Sequence, residues 1–311
     1  MFVFLRSLVH PQNPTTACPE QKPLRRAGHV TVNGVKLHYL DWGGHGETLL
    51  LLAGFGDTAE VFDEFAVRLT EHFHVLGLTR RGFGESEKTM GGYDVRSRVE
   101  DIYQFLNVLA IDSAHIVGHS MAGDELTLFA ILHPQCVKKL VYLDAAHDRT
   151  PQAYREYLRD PVFVHNRTDH GMRSRRMFME AIDMPGSAEV PVKEMPPAEE
   201  WNALVATQRA TVNFHADYTR VRAPALAFYT TSTNAHYPST WLPRDADSNL
   251  RTRADQWWQE KGRQFSRSSA ARFRKEIPNG QVIEFDDADH YLFRGKTAEI
   301  VVQQIREFLL K

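Results

Sequence analysis

The chain of 311 residues is poor in cysteine, with only Cys18 and Cys136. Two cysteines so far apart make neither a disulfide framework nor the ligand spacing of a structural zinc site. The sequence also lacks an excess of charge of one sign, because 37 Lys and Arg against 39 Asp and Glu leave a formal net charge of −2. This balance gives no electrostatic basis for binding nucleic acid, and we expect no such partner.

Long apolar runs are absent as well. No segment approaches the roughly 20 apolar residues that a membrane-spanning helix needs, so we expect no membrane span. The apolar start of the chain is interrupted by Arg6 and followed by Pro11 and Pro14, which makes it a poor signal peptide. We interpret residues 1–24 as a flexible N-terminal extension and expect a cytoplasmic protein; a degenerate targeting segment is the alternative.

Signatures of bound cofactors are missing too. No G-x-G-x-x-G pattern opens a helical segment, and the 15 histidines do not show the spacing of metal ligands. The sequence therefore predicts neither a cofactor nor a metal site.

What the sequence does contain is an alternation of strand and helix patterns. Two alternating apolar segments flank Asn33-Gly34, the dipeptide best suited to a type I′ hairpin turn. Buried strands are then predicted at 48–53, 73–78, 139–143, 225–229 and 281–285, and helices at 58–70, 94–110, 254–275 and 298–310. This order predicts an α/β fold with a mostly parallel sheet covered by helices on both faces.

The alternation breaks at residues 146–222, a segment far longer than one crossover helix needs and repeatedly interrupted by proline. We interpret it as an inserted helical cap. Residues 25–145 and 223–311 are then the two parts of one core.

A near match to the motif G-x-S-x-G lies at residues 118–122, where alanine takes the last position and Gly123 follows one place later. The motif describes a tight strand-to-helix turn that holds a serine hydroxyl above a sheet edge, at the positive end of a helix. An apolar strand-like run precedes it and helical spacing follows. We therefore predict Ser120 as a nucleophile.

Five stretches in order resemble the α/β-hydrolase superfamily, in the cap-bearing branch of esterases, C–C bond hydrolases, haloperoxidase-like enzymes and epoxide hydrolases. They are the hairpin, Gly54-Phe55, the segment RGFGES at 81–86, the turn at Ser120 and Asp289-His290. The resemblance covers residues 28–311. It implies an eight-stranded sheet with the functional site at the carboxyl edge of its strands.

The resemblance also implies a catalytic triad in the chain order serine, acid, histidine. His290 follows the last strand and takes the place of the general base. Asp144 ends the sixth strand and so emerges at the same sheet edge as Ser120, and we predict it as the acid that orients His290. Three other carboxylates are rivals for that role, namely Asp148, Asp245 and Asp247.

The expected oxyanion hole consists of the backbone N–H groups of Phe55 and Met121. The chain departs from the family at two places. Ala53 stands where the family usually has a histidine, but the donor in that loop is a backbone group, so the histidine is not essential. The family's acid usually follows the seventh strand, and residues 230–236 contain no carboxylate.

These residues predict a serine hydrolase that cleaves a small to medium, mainly apolar ester or related acyl compound through an acyl-enzyme on Ser120. The expected partner is thus a small-molecule acyl substrate. A C–C bond hydrolase with the same triad and a catalytically weak ligand-binding receptor are the alternatives. Epoxide hydrolase and dehalogenase chemistry are disfavoured, because those resemblances require aspartate where Ser120 stands.

Overall fold

The computed structural model describes residues 25–147, 149, 151–159, 169–231, 246–286 and 288–311. The extension predicted at residues 1–24 lies outside this part of the chain. Of the helices in the described ranges, none is both long enough and apolar enough to cross a membrane.

The predicted hairpin opens the fold. Strand β1 (Arg26–Val32) and strand β2 (Val35–Gly43) are antiparallel. Asn33, between them, has a φ angle of 52°. This is the left-handed conformation that a type I′ turn requires and that asparagine tolerates. The hairpin prediction is confirmed.

Six more strands complete one sheet. They are β3 (Glu47–Leu52), β4 (Phe73–Leu78), β5 (Ala114–His119), β6 (Val137–Leu143), β7 (Ala225–Thr230) and β8 (Gly280–Phe285). The order across the sheet is β1-β2-β4-β3-β5-β6-β7-β8, and only the β1–β2 and β2–β4 pairs are antiparallel. The predicted eight-stranded, mostly parallel sheet is confirmed.

Helices cover both faces of this sheet. The α-helices are α1 (Asp63–Ala66), α2 (Val95–Val108), α3 (Ala122–Leu132), α4 (Pro151–Arg159), α5 (Asp169–Ala181), α6 (Ala198–Val212), α7 (Ser248–Trp257), α8 (Arg263–Glu276) and α9 (Ala298–Leu309). A π-helical turn, Trp258–Gly262, joins α7 to α8. Short 3₁₀ segments lie at Ala59–Phe62, Pro134–Cys136, Ser187–Glu189, Tyr218–Arg220 and Gly295–Thr297.

The apolar run of β3 shows why the sheet needs cover on both sides. Leu50 and Leu52 pack into one apolar layer, which contains side chains of α2 and α3. Leu49 and Leu51 pack into the opposite layer, which contains side chains of α1 and α9. Burying one such leucine completely contributes roughly 1.5–3 kcal/mol. The run therefore fixes the central position of β3.

The helix predicted at 58–70 was wrong in type. Its α-helical part is only α1, and the bonds on either side have 3₁₀ spacing, as when the Leu69 N–H donates to the Ala66 carbonyl. Phe65 and Leu69 are still buried on the predicted face. A tight 3₁₀ turn keeps residues three apart on one side, so the apolar pattern does not distinguish it from an α-helix.

The chain between β6 and β7 contains α4, α5 and α6, together with residues outside the described ranges. Four buried side chains of this segment form a small apolar cluster separate from the two layers of the core, namely Met179, Ile182, Val190 and Val212. The indole N–H of Trp201 in α6 donates to Glu180 in α5 at 2.8 Å. These two helices therefore pack together around apolar contacts of their own.

Candidate active site

Ser120 lies at the turn between β5 and α3. Its φ angle is 53°, in the left-handed region that a residue with a side chain rarely adopts. The Ser120 N–H donates to the Leu143 carbonyl at 3.1 Å, which ties the turn to the end of β6. The strained turn expected of the sequence motif is present.

Glycine at two positions lets the backbone pass close to this turn. A Cβ atom on Gly54 would lie 2.8 Å from Nδ1 of His119 and 3.2 Å from Cβ of Ser120. A Cβ atom on Gly123 would lie 2.2 Å from the carbonyl oxygen of Ala145. The motif has its second glycine at the position of Ala122. In this chain glycine is needed at 123 instead, because α3 passes there close to the segment that follows β6.

His290 lies in the loop after β8, and its ring bridges the other two predicted residues. Nε2 of His290 is 2.8 Å from Oγ of Ser120, and Nδ1 is 2.7 Å from Oδ2 of Asp144. Because an ionised carboxylate only accepts, Nδ1–H donates to Asp144 and leaves Nε2 to accept the serine proton. The structure thus brings the three residues predicted from the sequence together in one hydrogen-bonded series.

Asp144 follows β6 directly and is 4% exposed. Oδ1 of Asp144 accepts from the Thr230 N–H at 3.1 Å and from Nε2 of His147 at 3.2 Å. Oδ2 accepts from Oγ1 of Thr230 at 3.1 Å. Burial by itself would raise the pKa of Asp144, but the adjacent rings of His147 and His290 hold that pKa well below its usual range. Asp144 is therefore a buried, ionised carboxylate.

The other carboxylates near the predicted site have different surroundings. Asp247 caps the N-terminus of α7, where its side chain accepts from the Leu250 N–H at 2.7 Å. Asp289 accepts from the Tyr291 N–H at 2.8 Å. The two remaining rivals for the acid, Asp148 and Asp245, lie outside the described residues.

His119 supports His290 from below. Its Nε2–H donates to the backbone carbonyl of His290 at 2.9 Å, and the two rings are 4.5 Å apart. Burial and the neighbouring His290 ring hold the pKa of His119 well below its usual value, so it stays neutral. A neutral ring can fix the loop after β8 without adding charge beside His290.

The two N–H groups predicted for the oxyanion hole lie on either side of this turn. Met121 directly follows Ser120 and precedes the first turn of α3, and Phe55 follows Gly54 in the loop after β3. Neither N–H has an acceptor among the residues that the structure describes. Both donors are available to a ligand.

Arg80 and Arg81, after β4, form separate buried ion pairs. Arg80 pairs with Glu125 at 2.7 Å, and Arg81 pairs with Asp101 at 2.7 Å. Arg80 also donates to the carbonyl oxygens of Ala53 and Gly54, beside the residue that departs from the family pattern. The loop after β3 is thus held from beneath by a guanidinium group.

A sequence model of a protein family, described as the alpha/beta hydrolase fold, matches residues 47–296, which are most of the chain. The chain belongs to the alpha/beta hydrolase fold family. This confirms the resemblance that the sequence motifs indicate.

Among the residues that the structure describes for this family member, no group of three or more His, Cys, Asp or Glu side chains is arranged to hold a metal ion.

Sequence relatives match only part of this hydrolase-fold chain. A soluble epoxide hydrolase of Corynebacterium sp. (strain C12) is 32% identical over 113 residues, which are 36% of this chain and 39% of the relative. N-formylmaleamate deformylase of Pseudomonas putida is 33% identical over 119 residues, 38% of this chain and 44% of the relative. The matched segments thus span well under two thirds of these relatives.

Solved structures match the fold over most of its length. The enol-lactonase from Burkholderia xenovorans LB400 superposes with a TM-score of 0.62 and 20% identity, covering 91% of this chain and 100% of that one. An esterase from Exiguobacterium antarcticum gives a TM-score of 0.63 and 16% identity over 92% and 100%. At these identities the likeness establishes the fold.

Sequence reasoning missed the residues around the predicted triad, above all Thr230, His147 and His119. Thr230 lies at the end of β7, where the family's acid usually stands, and it supplies two donors to Asp144 instead. The sequence did contain a signal for Thr230, because a residue with a hydroxyl group stands where the family usually has its acid. His147 and His119 carried only a weak signal, their spacing from Asp144 and Ser120.

Proposed function

We propose that the protein is a serine hydrolase that cleaves a small to medium, mainly apolar ester or related acyl compound. The observation that carries the proposal is the hydrogen-bonded series from Ser120 through His290 to Asp144, with separations of 2.8 and 2.7 Å. Membership in a family whose relatives include a deformylase and an epoxide hydrolase supports hydrolysis as the reaction class.

In the first step, Oγ of Ser120 attacks the acyl carbon while Nε2 of His290 takes the hydroxyl proton. Asp144 holds Nδ1 in its protonated form and stabilises the imidazolium that results. The exposures suit these roles, because the side chain of His290 is 35% exposed and that of Asp144 is buried. The base is accessible to a substrate, whereas the acid is shielded from solvent.

The tetrahedral intermediate carries a negative oxygen, which the backbone N–H groups of Phe55 and Met121 stabilise. One donor of this kind contributes about 10²–10³ to the rate. When the intermediate collapses, the imidazolium of His290 protonates the leaving alcohol. His290 then deprotonates a water molecule, which attacks the acyl-enzyme and releases the acid from Ser120.

Apolar side chains near the donors support a mainly apolar substrate. Phe55 is partly exposed, and its ring packs edge-on against that of Phe83, with their centroids 6.2 Å apart. Such surfaces favour uncharged acyl groups.

A cap over the site forms part of this proposal. Residues 146–222 leave the sheet just after Asp144, at the same strand edge where Ser120 lies, and α5 and α6 have an apolar cluster of their own. We assign this segment as the inserted cap and residues 25–145 and 223–311 as the core.

The decisive experiment is labelling of the purified protein with a fluorophosphonate probe, which reacts with activated serines. Wild type should be labelled and should turn over p-nitrophenyl butyrate, whereas Ser120→Ala should do neither. The control variant is Ser113→Ala, which removes a serine hydroxyl just before β5 and has no part in the proposed triad. It should be labelled and should turn over the ester as wild type does.

Equal labelling of wild type and Ser120→Ala would remove Ser120 from the mechanism. If the wild-type protein binds a small-molecule ligand but does not turn over any ester, the alternative of a ligand-binding receptor is favoured. Because a deformylase is among the relatives, the substrate panel should include a formylated amide. A vinylogous diketone in the same panel tests C–C bond cleavage by the same three residues.

A further inference from the structure

The guanidinium group of Arg80 lies between the loop after β3 and helix α3. Nη1 of Arg80 donates to the Gly54 carbonyl at 3.1 Å, and Nη2 donates to the Ala53 carbonyl. Nε and Nη2 donate to the two carboxylate oxygens of Glu125 at 2.7 and 2.8 Å. One side chain thus connects the loop after β3 to helix α3.

The bond to Gly54 has a direct consequence for Phe55. The Gly54 carbonyl and the Phe55 N–H belong to one planar trans peptide group and point in opposite directions. Holding the oxygen from below therefore aims the N–H at the other side, where the substrate would lie. A charged donor on the oxygen also polarises the peptide and strengthens its N–H as a donor.

Glu125 connects Arg80 to the helix that directly follows Met121. It lies in the first turn of α3, four residues after Met121 and on the same helix that begins at Ala122. Its side chain is fully buried, and Nε of Arg98 lies 2.9 Å from the same carboxylate. Burial would raise the pKa of Glu125, but Arg80 and Arg98 lower it, so the carboxylate is ionised and holds Arg80 firmly.

We infer that Arg80 is a positioning residue that sets the spacing and direction of the two oxyanion donors, the N–H groups of Phe55 and Met121. This inference rests on the proposed serine hydrolase function. It also accounts for Ala53, because a guanidinium group beneath the loop supplies the support that the missing histidine side chain does not.

Arg81 provides a matched control. It is the adjacent residue, is similarly buried, and makes a bidentate pair with Asp101 at 2.7 Å for both bonds. Its further bond goes to the Gly91 carbonyl at 3.3 Å, away from the loop after β3. Substituting Arg81 removes a comparable ion pair without touching residues 53–55.

The experiment compares Arg80→Met and Arg81→Met in the 311-residue chain. Steady-state turnover of p-nitrophenyl butyrate gives kcat and KM, and an aliphatic trifluoromethyl ketone, whose serine adduct carries an oxyanion, reports on the donors directly. We expect Arg80→Met to lower kcat about 100-fold, the effect of losing one such donor, with KM within about threefold. Affinity for the ketone should fall by a similar factor, and Arg81→Met should leave both within about threefold of wild type.

The inference is overturned if Arg80→Met loses no more kcat than Arg81→Met, or if its loss appears in KM alone. Should Arg80→Met fail to fold, Arg80→Lys keeps the charge but cannot serve both carbonyls and Glu125 in the same geometry. Arg80→Lys that retains wild-type kcat and ketone affinity would equally overturn it. Full turnover by Ser120→Ala would overturn the proposed function, and this inference with it. The two failures are distinguishable, because the Arg80 variants test only the inference and Ser120→Ala tests the proposed function.

Discussion

Four donors surround the two carboxylate oxygens of Asp144: both polar groups of Thr230, and one ring nitrogen each of His147 and His290. This arrangement fixes the rotation of the carboxylate so that Oδ2 faces His290. In the triad that we propose, the acid follows β6, and Thr230 at the end of β7 supplies it with two donors.

Thr230→Val tests this arrangement at the level of one residue. Valine keeps the shape of the side chain but removes the bond to Oδ2, worth about 1 kcal/mol, so Asp144 orients His290 less well. We expect kcat for p-nitrophenyl butyrate to fall about fivefold at unchanged KM. Thr231→Val is the control, since Oγ1 of Thr231 contacts Asp286 at 3.5 Å and not Asp144. Equal kcat in the two variants would contradict the role given to Thr230.

The helices show how a residue that resembles a catalytic acid in the sequence can have a structural role. Asp247 has φ and ψ angles of −65° and 163°, outside the helix, and its carboxylate accepts the Leu250 N–H in the first turn of α7. Ser, Asp and Asn are preferred at this position because they satisfy an N–H group that has no partner inside the helix.

Substitutions at Asp247 separate capping from catalysis. Asp247→Ala should lower the free energy of unfolding by about 1 kcal/mol with kcat unchanged, because only the cap is lost. Asp247→Asn should preserve both, since asparagine caps equally well. Urea unfolding and turnover measured on the same preparations check this. A large loss of kcat in Asp247→Asn would instead return Asp247 to the role proposed for Asp144.

A buried carboxyl group in the core of the protein should make its stability depend on pH. Asp124, in the first turn of α3, lies 3.6 Å from Arg149 and is nearly inaccessible to solvent. Burial raises the pKa of Asp124 from 3.8 to about 7, although Arg149 and Arg98 act in the opposite direction. The unfolded chain releases this proton at a lower pH than the folded protein does, so the contribution of Asp124 to stability should fall as the pH rises from about 4 to about 7.

Asp124→Asn should remove this dependence, because asparagine does not ionise. We expect the Tm of the variant to exceed that of wild type by more at pH 8 than at pH 5, with a difference of a few degrees, since 1 kcal/mol corresponds to roughly 2 °C in a chain of this size. Calorimetry at the two pH values measures it, and the pH 5 comparison serves as the internal control. A Tm difference that does not change with pH would show that Asp124 is ionised throughout.

Features of this protein that depend on neighbours two to four residues apart could be predicted from the amino-acid sequence. The Asn33-Gly34 turn, the apolar run of β3 and the strand-to-helix turn at Ser120 follow from such local patterns, and the motif order indicated the family. Local pattern did not separate 3₁₀ from α-helical geometry at Ala59–Phe62, because both keep residues three apart on one face.

Contacts between groups far apart in the sequence could not be predicted in this way. Thr230 donates to a carboxylate 86 residues earlier, and Arg80 bonds Glu125 across 45 residues and Gly54 across 26. Parallel strands bring their carboxyl ends to one edge whatever their separation in sequence, so these contacts depend on strand order and packing. Spacing along the chain carries no record of that order, and the supports of the candidate site became visible only in the folded molecule.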